Sequence, residues 1–298
     1  MPEPTGGRPL LLCADDYGLS PAVDQAVAAL VRAGRLSAFS CLGNGPTWPQ
    51  AASQVPALRR QAQAGLHLNL SEGRPLSAAL AAHWPQLPAL PRLLLLAHAG
   101  LLPLEAVHAE LAAQWAAFVA ATGAEPDFLD GHQHVHHLPG VRDWVLERAA
   151  SRGVPVRSTA RVAGPGPAFK RWVIEHSGGQ ALARGLRQRG LPHHPLLLGA
   201  YGFDDTDYRG LMQRWLAQVP AAGALLFCHP GLAVPAGPLY GVPEDGPDAI
   251  APARQREYAY LAGDEFPADL AAAGVVLATA WPAAGGPLRP APGRSQAA

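Results

Sequence analysis

Short unbroken apolar runs alternate along the chain with stretches that repeat apolar residues at helical spacing. The first run, PLLLCA at residues 9–14, suits a strand buried on both faces of a parallel sheet. Asp15 and Asp16 follow it directly. Ser20 then offers a helix N-cap, Pro21 a first helical residue, and Val23, Ala26, Val27, Leu30 and Val31 one apolar face that Gly34 ends. Further strands are expected at 36–42, 65–70, 127–131, 155–158, 197–201, 223–229 and 275–280. Helical patterns lie between most of them. The clearest runs from Leu104 to Ala121, with Val107, Leu111, Trp115, Phe118 and Val119 on one face, and others begin after Pro139 and near Thr206 and Ala251.

Seven or eight βα units without a break predict an α/β fold, an irregular TIM-like (β/α) barrel in a single domain over residues 9–281. An open doubly wound sheet is the rival. Residues 71–103 and 163–195, rich in Gly, Pro, Ala and Leu, are expected as long loop excursions above the barrel. Residues 282–298 have little to bury and are expected to form a disordered tail.

Composition narrows the function classes. Charged residues make up 15% of the chain, and 23 Lys and Arg balance 23 Asp and Glu, so no net field draws it to nucleic acid or to an acidic membrane surface. Cys13, Cys41 and Cys228 sit in apolar stretches and are too few for a disulfide framework, which favours a reducing compartment. No basic leader precedes the first apolar run, and prolines and charges interrupt the most apolar region, around Leu87 to Leu104. A cytoplasmic protein is expected, and a homodimer is left open.

The active site of a parallel barrel forms at the C-terminal ends of its strands, so polar residues there are informative. Asp15 and Asp16 end the first strand. In Gly65-Leu66-His67-Leu68-Asn69-Leu70, alternation puts His67 and Asn69 on one face and the leucines on the other. Asp130 precedes Gly131-His132-Gln133-His134-Val135-His136-His137, which holds four of the twelve histidines. If that segment is extended, His132 and His134 share a face. His229 ends the strand Ala224–Cys228, and Arg157 follows Pro155-Val156.

Plainer readings exist for each: a helix cap or solvated turn for the aspartates, a hydrogen-bonded structural residue for His67, an adventitious metal-binding tract for the histidines, a surface position for Arg157. His83, His98, His108, His176, His193 and His194 have no such context and read as surface or structural residues. In conjunction, a carboxylate and two histidines from different strand ends can form a metal site that leaves positions open for water and substrate.

The segments Ala14-Asp15-Asp16-Tyr17-Gly18-Leu19-Ser20, Gly65–Leu70, Asp130–His136 and His229-Pro230-Gly231 resemble, in order, the motifs of the YdjC-like (ChbG-type) carbohydrate deacetylases. Arg254 and Glu257 add a weaker match. Tyr17, Gly131 and Asp24 depart from the residues commoner in that family, and the middle and late regions match weakly. The resemblance implies a metal-dependent hydrolase that removes acetyl groups from N-acetylated amino sugars in short, chitin-type oligosaccharides. Carried over by position, Asp16, His67 and His132 would hold one divalent ion, Asp15 would be the base and His229 the candidate acid. Asn69, Asp130, His134 and Arg157 would stand behind these groups or against substrate. The resemblance implies Mg²⁺, whereas two imidazoles and a carboxylate suit Zn²⁺ better. The alternatives are another metal-dependent hydrolase on the same barrel, acting on a phosphoester or cyclic amide, and a non-catalytic sugar-binding protein. The lack of a Lys or Arg cluster beside the motifs argues against phosphate, and the presence of both Asp15 and His229 argues against a binding role alone.

Overall fold

The N-terminal apolar run builds the central strand of the sheet, β1 (Arg8–Tyr17). The computed structural model of the chain describes residues 7–233, 247–282 and 288–290. Around β1 lie β2 (Ala38–Cys41), β3 (Gln63–Leu68), β4 (Leu129–Gly131), β5 (Leu197–Leu198), β6 (Ala224–Cys228), β7 (Val275–Ala280) and β8 (Arg289–Pro290). The order is β4-β3-β2-β1-β6-β5, all parallel, with β7 joining β1 in parallel and β8 antiparallel to β7. β1 changes partner along its length: Arg8–Leu10 pair with β7, Leu10–Ala14 with β6, and Cys13 to Tyr17 with β2.

The result is an α/β fold in which helices surround a parallel sheet curved into an open half-barrel. The strand expected over 155–158 is reduced to one bridge, Leu129 to Val156, and a second bridge joins Val162 to Leu197. Pro155 has no N–H to extend the ladder. β5 stops short of its apolar run because Gly199 takes a φ of 108°.

Alternation along β1 sorts its side chains into two cores. Leu10, Leu12 and Ala14 pack outward against the helices, while Leu11 and Cys13 face an inner cluster with Phe128, Leu197, Leu225, Phe227 and Trp281. Helices form at Pro21–Arg32, Leu104–Thr122, Val141–Arg152, Tyr208–Leu216 and Ala251–Ala262, near the expected positions. Ser20 caps the first, accepting from the Val23 N–H at 3.3 Å.

The two excursions carry helices of their own, Ala78–His83 and Leu90–His98 in one, Ala168–Ile174 and Gln180–Gln188 in the other. Of the tail expected over 282–298, residues 283–287 and 291–298 lie outside the described residues. Leu288 is buried, and Arg289–Pro290 pairs with β7. Among the described residues no helix is long and apolar enough to cross a membrane.

Candidate active site

Strict alternation would send Asp15 inward with Leu11 and Cys13 and Asp16 outward with the helices. Instead the register of β1 slips between Ala14 and Tyr17, and Asp16 adopts a left-handed φ of 70°. Asp tolerates this conformation better than most residues because its short side chain can bond locally. Both carboxylates therefore line one cavity. The turn is held by buried Asp24, which accepts from the Gly18 N–H and the Thr47 hydroxyl, each at 2.6 Å.

β3 brings in His67, whose Nε2 lies 3.5 Å from Asp16 Oδ1. Its Nδ1 is engaged by Asp130 Oδ1 at 2.7 Å, and Ser40 bonds the same oxygen. Asp130 thereby fixes the ring and leaves Nε2 to face Asp16. The segment after β4 is a turn of 3₁₀ type and not the extended run that alternation assumed, since Gln133 and His134 have φ of 50° and 63°. The turn still aims His132 and His134 into the cavity. His132 Nδ1 sits 2.9 Å from Asp16 Oδ1, and its Nε2 lies 3.2 Å from Glu72 Oε2.

Asn69 sits beyond the end of β3 and is fully buried, apart from the residues that line the cavity. Its side chain accepts from the Ser71 and Glu72 N–H groups and donates to the Glu72 carbonyl at 2.8 Å, so it shapes the turn that presents Glu72. Gln114, from the long helix Leu104–Thr122, clamps the Asn69 backbone through both its N–H and its carbonyl.

Arg157 is wholly buried. Its Nη1 donates to Asp15 Oδ2 at 2.7 Å and its Nη2 to Asp15 Oδ1 at 2.6 Å, while Nη2 also pairs with Asp130 Oδ2 and approaches Cys13 Sγ at 3.3 Å. Two sets of side chains have metal-like spacing, Asp16 with His67 and His132, and Cys13 with Asp15 and Asp130. The guanidinium already satisfies the second. The first brings two imidazole nitrogens and a carboxylate oxygen within 4.8 Å of one another, and it fits a divalent ion.

Electrostatics separate the neighbouring aspartates. Burial pushes the Asp15 carboxyl up, and Arg157 offsets this only in part. Burial acts on Asp16 in the same sense, yet Arg254 and His132 outweigh it and hold Asp16 well below the usual carboxylate range. Against the cost of burial, Asp130 and Asp15 raise His67 to about 9, and Asp16 raises His132 to about 10. Burial instead keeps His134 and His229 neutral, well below the usual imidazole value.

Arg254, which motif matching left without a role, pairs with Asp16 Oδ2 at 2.9 Å and with Asp248 Oδ2 at 2.6 Å. Glu257, one helical turn on, accepts from the His229 backbone N–H at 2.5 Å and from the Tyr201 hydroxyl at 2.6 Å. His229 lines the cavity, with its ring edge-on to Phe203 and Phe227. Ser40, Glu72, Tyr201 and Asp248 escaped the sequence reading, because each is a single polar residue without a repeating partner. A paired signal did exist for Arg254 and Glu257, two charges three residues apart on one helix.

The cavity, of ≈ 1410 Å³, opens at the C-terminal ends of the strands and is walled by both excursions. His194 is buried away from it, bonding the Ser158 N–H and the Leu196 carbonyl.

The sequence profile of a family described as YdjC-like protein matches residues 9–272. A carbohydrate deacetylase of Mus musculus is 33% identical over 266 residues, 81% of this chain and 83% of that protein. A chitooligosaccharide deacetylase of Salmonella typhimurium is 34% identical over 160 residues, 50% of this chain and 59% of that protein. Among solved structures, a protein of Enterococcus faecalis V583 provisionally described as cleaving cellobiose phosphate aligns with a TM-score of 0.69 at 19% identity, covering 92% of this chain and 97% of that one. At that identity the likeness is one of fold.

Proposed function

The chain belongs to the YdjC-like protein family, and from that premise we propose that it is a metal-dependent hydrolase removing acetyl groups from N-acetylated amino sugars in short oligosaccharides. The convergence of Asp16, His67 and His132 beside Asp15, in one cavity, carries the reading. The names of the curated relatives, carbohydrate deacetylase and chitooligosaccharide deacetylase, support the substrate class. The TIM-like view of the fold rests on the two bridges that link the sheet edges through residues 156–162.

In this reading Asp16, His67 and His132 hold the ion. When bound there, a divalent ion would supply Lewis acidity, which eases deprotonation of water and polarises the acetyl oxygen. Resemblance favours Mg²⁺ and the donor set favours Zn²⁺, so metal content decides. Asp15 takes the proton of the attacking water, and burial gives it a higher proton affinity than an ordinary salt-bridged carboxylate. Arg157 fixes its orientation with two parallel hydrogen bonds. The departing amine needs a proton, and His229 supplies it across the cavity. Its resting imidazole is neutral, so it would take a proton from solvent through the open cavity and pass it to the amine, while the proton that Asp15 took from water returns to solvent. Asp130 orients His67, Arg254 steadies Asp16, and Glu72 and His134 stand beside the reacting groups. The three unpaired cysteines fit a cytoplasmic location.

The test is acetate release from a panel of N-acetylated amino sugars of increasing length, with mass spectrometry of the products. Turnover that stops with a chelator and returns with a divalent ion supports the reading. No acetate from any of them, in protein shown to carry metal, rejects it.

A further inference from the structure

We infer that the ring of Phe169, backed by the stacked rings of Trp172 and His176, forms a second sugar-binding subsite, a platform at the mouth of the cavity that holds an unreacted residue of the oligosaccharide. This rests on the oligosaccharide reading above and adds a place for the part of the chain remote from Asp16.

The three residues recur every three or four positions along the helix Ala168–Ile174 and the π turn Glu175–Gly179 that follows, so they share one face. Phe169 is 74% exposed and Trp172 55%. Their rings lie 6.2 Å apart at 18°, and Trp172 stacks on His176 at 4.8 Å and 19°. Most other aromatic contacts among the described residues are tilted or edge-on. The parallel pair Trp48 and Phe118 is buried. Rings stacked in this way cover part of one another's faces, so the surface offered to a ligand is that of Phe169 at the cavity end of the stack, which is left largely to solvent.

Several features identify the ligand. Phe169 lines the cavity that contains Asp16, so the row continues the candidate active site outward. The cavity's ≈ 1410 Å³ exceeds the roughly 300 to 1,000 Å³ of ordinary small-molecule pockets, which leaves room for more than one sugar unit. The C–H face of a pyranose is apolar and weakly positive, and it complements the negative face of an aromatic ring. Of the two cations within the row, Lys170 is turned inward, donating to the Tyr201 carbonyl at 2.7 Å and lying over the Phe203 ring, and Arg171 is engaged by the Gly166 carbonyl. The row thus suits a neutral ring better than a phosphate. On the inner side Ser177 lines the cavity and bonds His137 Nε2 at 2.9 Å, offering a hydroxyl beside the apolar face.

The test compares binding of a dimer and a pentamer of N-acetylglucosamine by calorimetry, in metal-loaded protein carrying Asp15→Asn to keep the ligands intact. Phe169→Ala and Trp172→Ala are then added singly; both sites are exposed, so the fold should tolerate the changes. The expected result is tighter binding of the pentamer than of the dimer, with about a tenfold loss for the pentamer in either variant and little change for the dimer. Unchanged pentamer affinity overturns the platform, and equal losses for both ligands overturn its distal position. An altered molar mass by light scattering, with sugar affinity unchanged, assigns the face to a second copy of the chain and also overturns it. Acetate release by the wild-type protein is scored separately: if it is absent while Trp172-dependent binding persists, the deacetylase reading fails and the platform stands.

Discussion

Asp15 and Asp16 face the same cavity from consecutive positions and are held in opposite ways. Asp15 gives both oxygens to the fork of Arg157 and is pushed up by burial. Asp16 sits between Arg254, His67 and His132 and is held well below the usual carboxylate range. Groups so separated suit different tasks, one a proton acceptor and the other a permanent anion.

Replacing Asp15 by Asn keeps its size and leaves the candidate ligands in place. Deacetylation is expected to fall by at least about 100-fold, while the metal content of the same purified protein stays near that of the wild type. Near-normal turnover would reject the role of base. Loss of metal together with activity would make Asp15 a ligand.

Binding of a divalent ion to chelator-treated protein is expected to release protons. His67 and His132, raised to about 9 and about 10, are protonated at neutral pH and must shed a proton to ligate. Calorimetry in buffers of different ionisation enthalpy should report about two protons released near pH 7, with affinity strengthening as pH rises. His132→Ala should abolish metal binding, whereas His134→Ala should cost about 10- to 100-fold in affinity or activity. Equal loss of metal in both variants would move the ligand set.

Arg157→Met leaves Asp15 and Asp130 buried beside one another without their cation. Chemical denaturation at neutral pH is expected to show a loss of about 3 to 5 kcal/mol. The deficit should shrink in acid, where the two carboxylates can be neutralised. A variant as stable as wild type at neutral pH would mean that the guanidinium does not compensate those charges.

Burial pushes Glu257 up to about 7 from 4.5, so the folded protein holds this proton more tightly than the unfolded chain does. Its stabilisation is complete below about 4.5 and is lost as pH rises through about 7. Glu257→Gln can still meet the His229 N–H and the Tyr201 hydroxyl, and it cannot ionise. The variant's Tm relative to wild type is therefore expected to climb across that window and then level off. A flat difference would show that Glu257 stays ionised throughout.

The parallel sheet and its strand-end residues were legible in the sequence because apolar runs such as 9–14 carry their own boundaries. The half-barrel's edges were not, since they depend on single bridges at Val156 and Val162. Asp16 illustrates a second limit: a period-two reading sends it to the helices, and only its left-handed φ brings it to the cavity. His134 reached the cavity by a turn where alternation predicted a strand. Glu72 and Asp248 lie on connecting turns, where no periodic pattern marks a side chain's direction. Glu257 acts through the His229 backbone, a contact made by tertiary packing alone.

The partner changes along β1 bear on how the molecule loses its activity. The strand that carries Asp15 and Asp16 is bonded successively to β7, β6 and β2, and Ala14 and Tyr17 pair with β2 on either side of the slip that holds the aspartates, so moving them from the site requires breaking central sheet pairing. Amide exchange at Leu10–Ala14 should proceed only through global unfolding, whereas the cavity walls at Ala78–His98 and Ala168–Gln188 can open at lower free energy. Mild denaturant should therefore weaken the grip on long substrates first, with the reacting centre surviving until the whole sheet gives way.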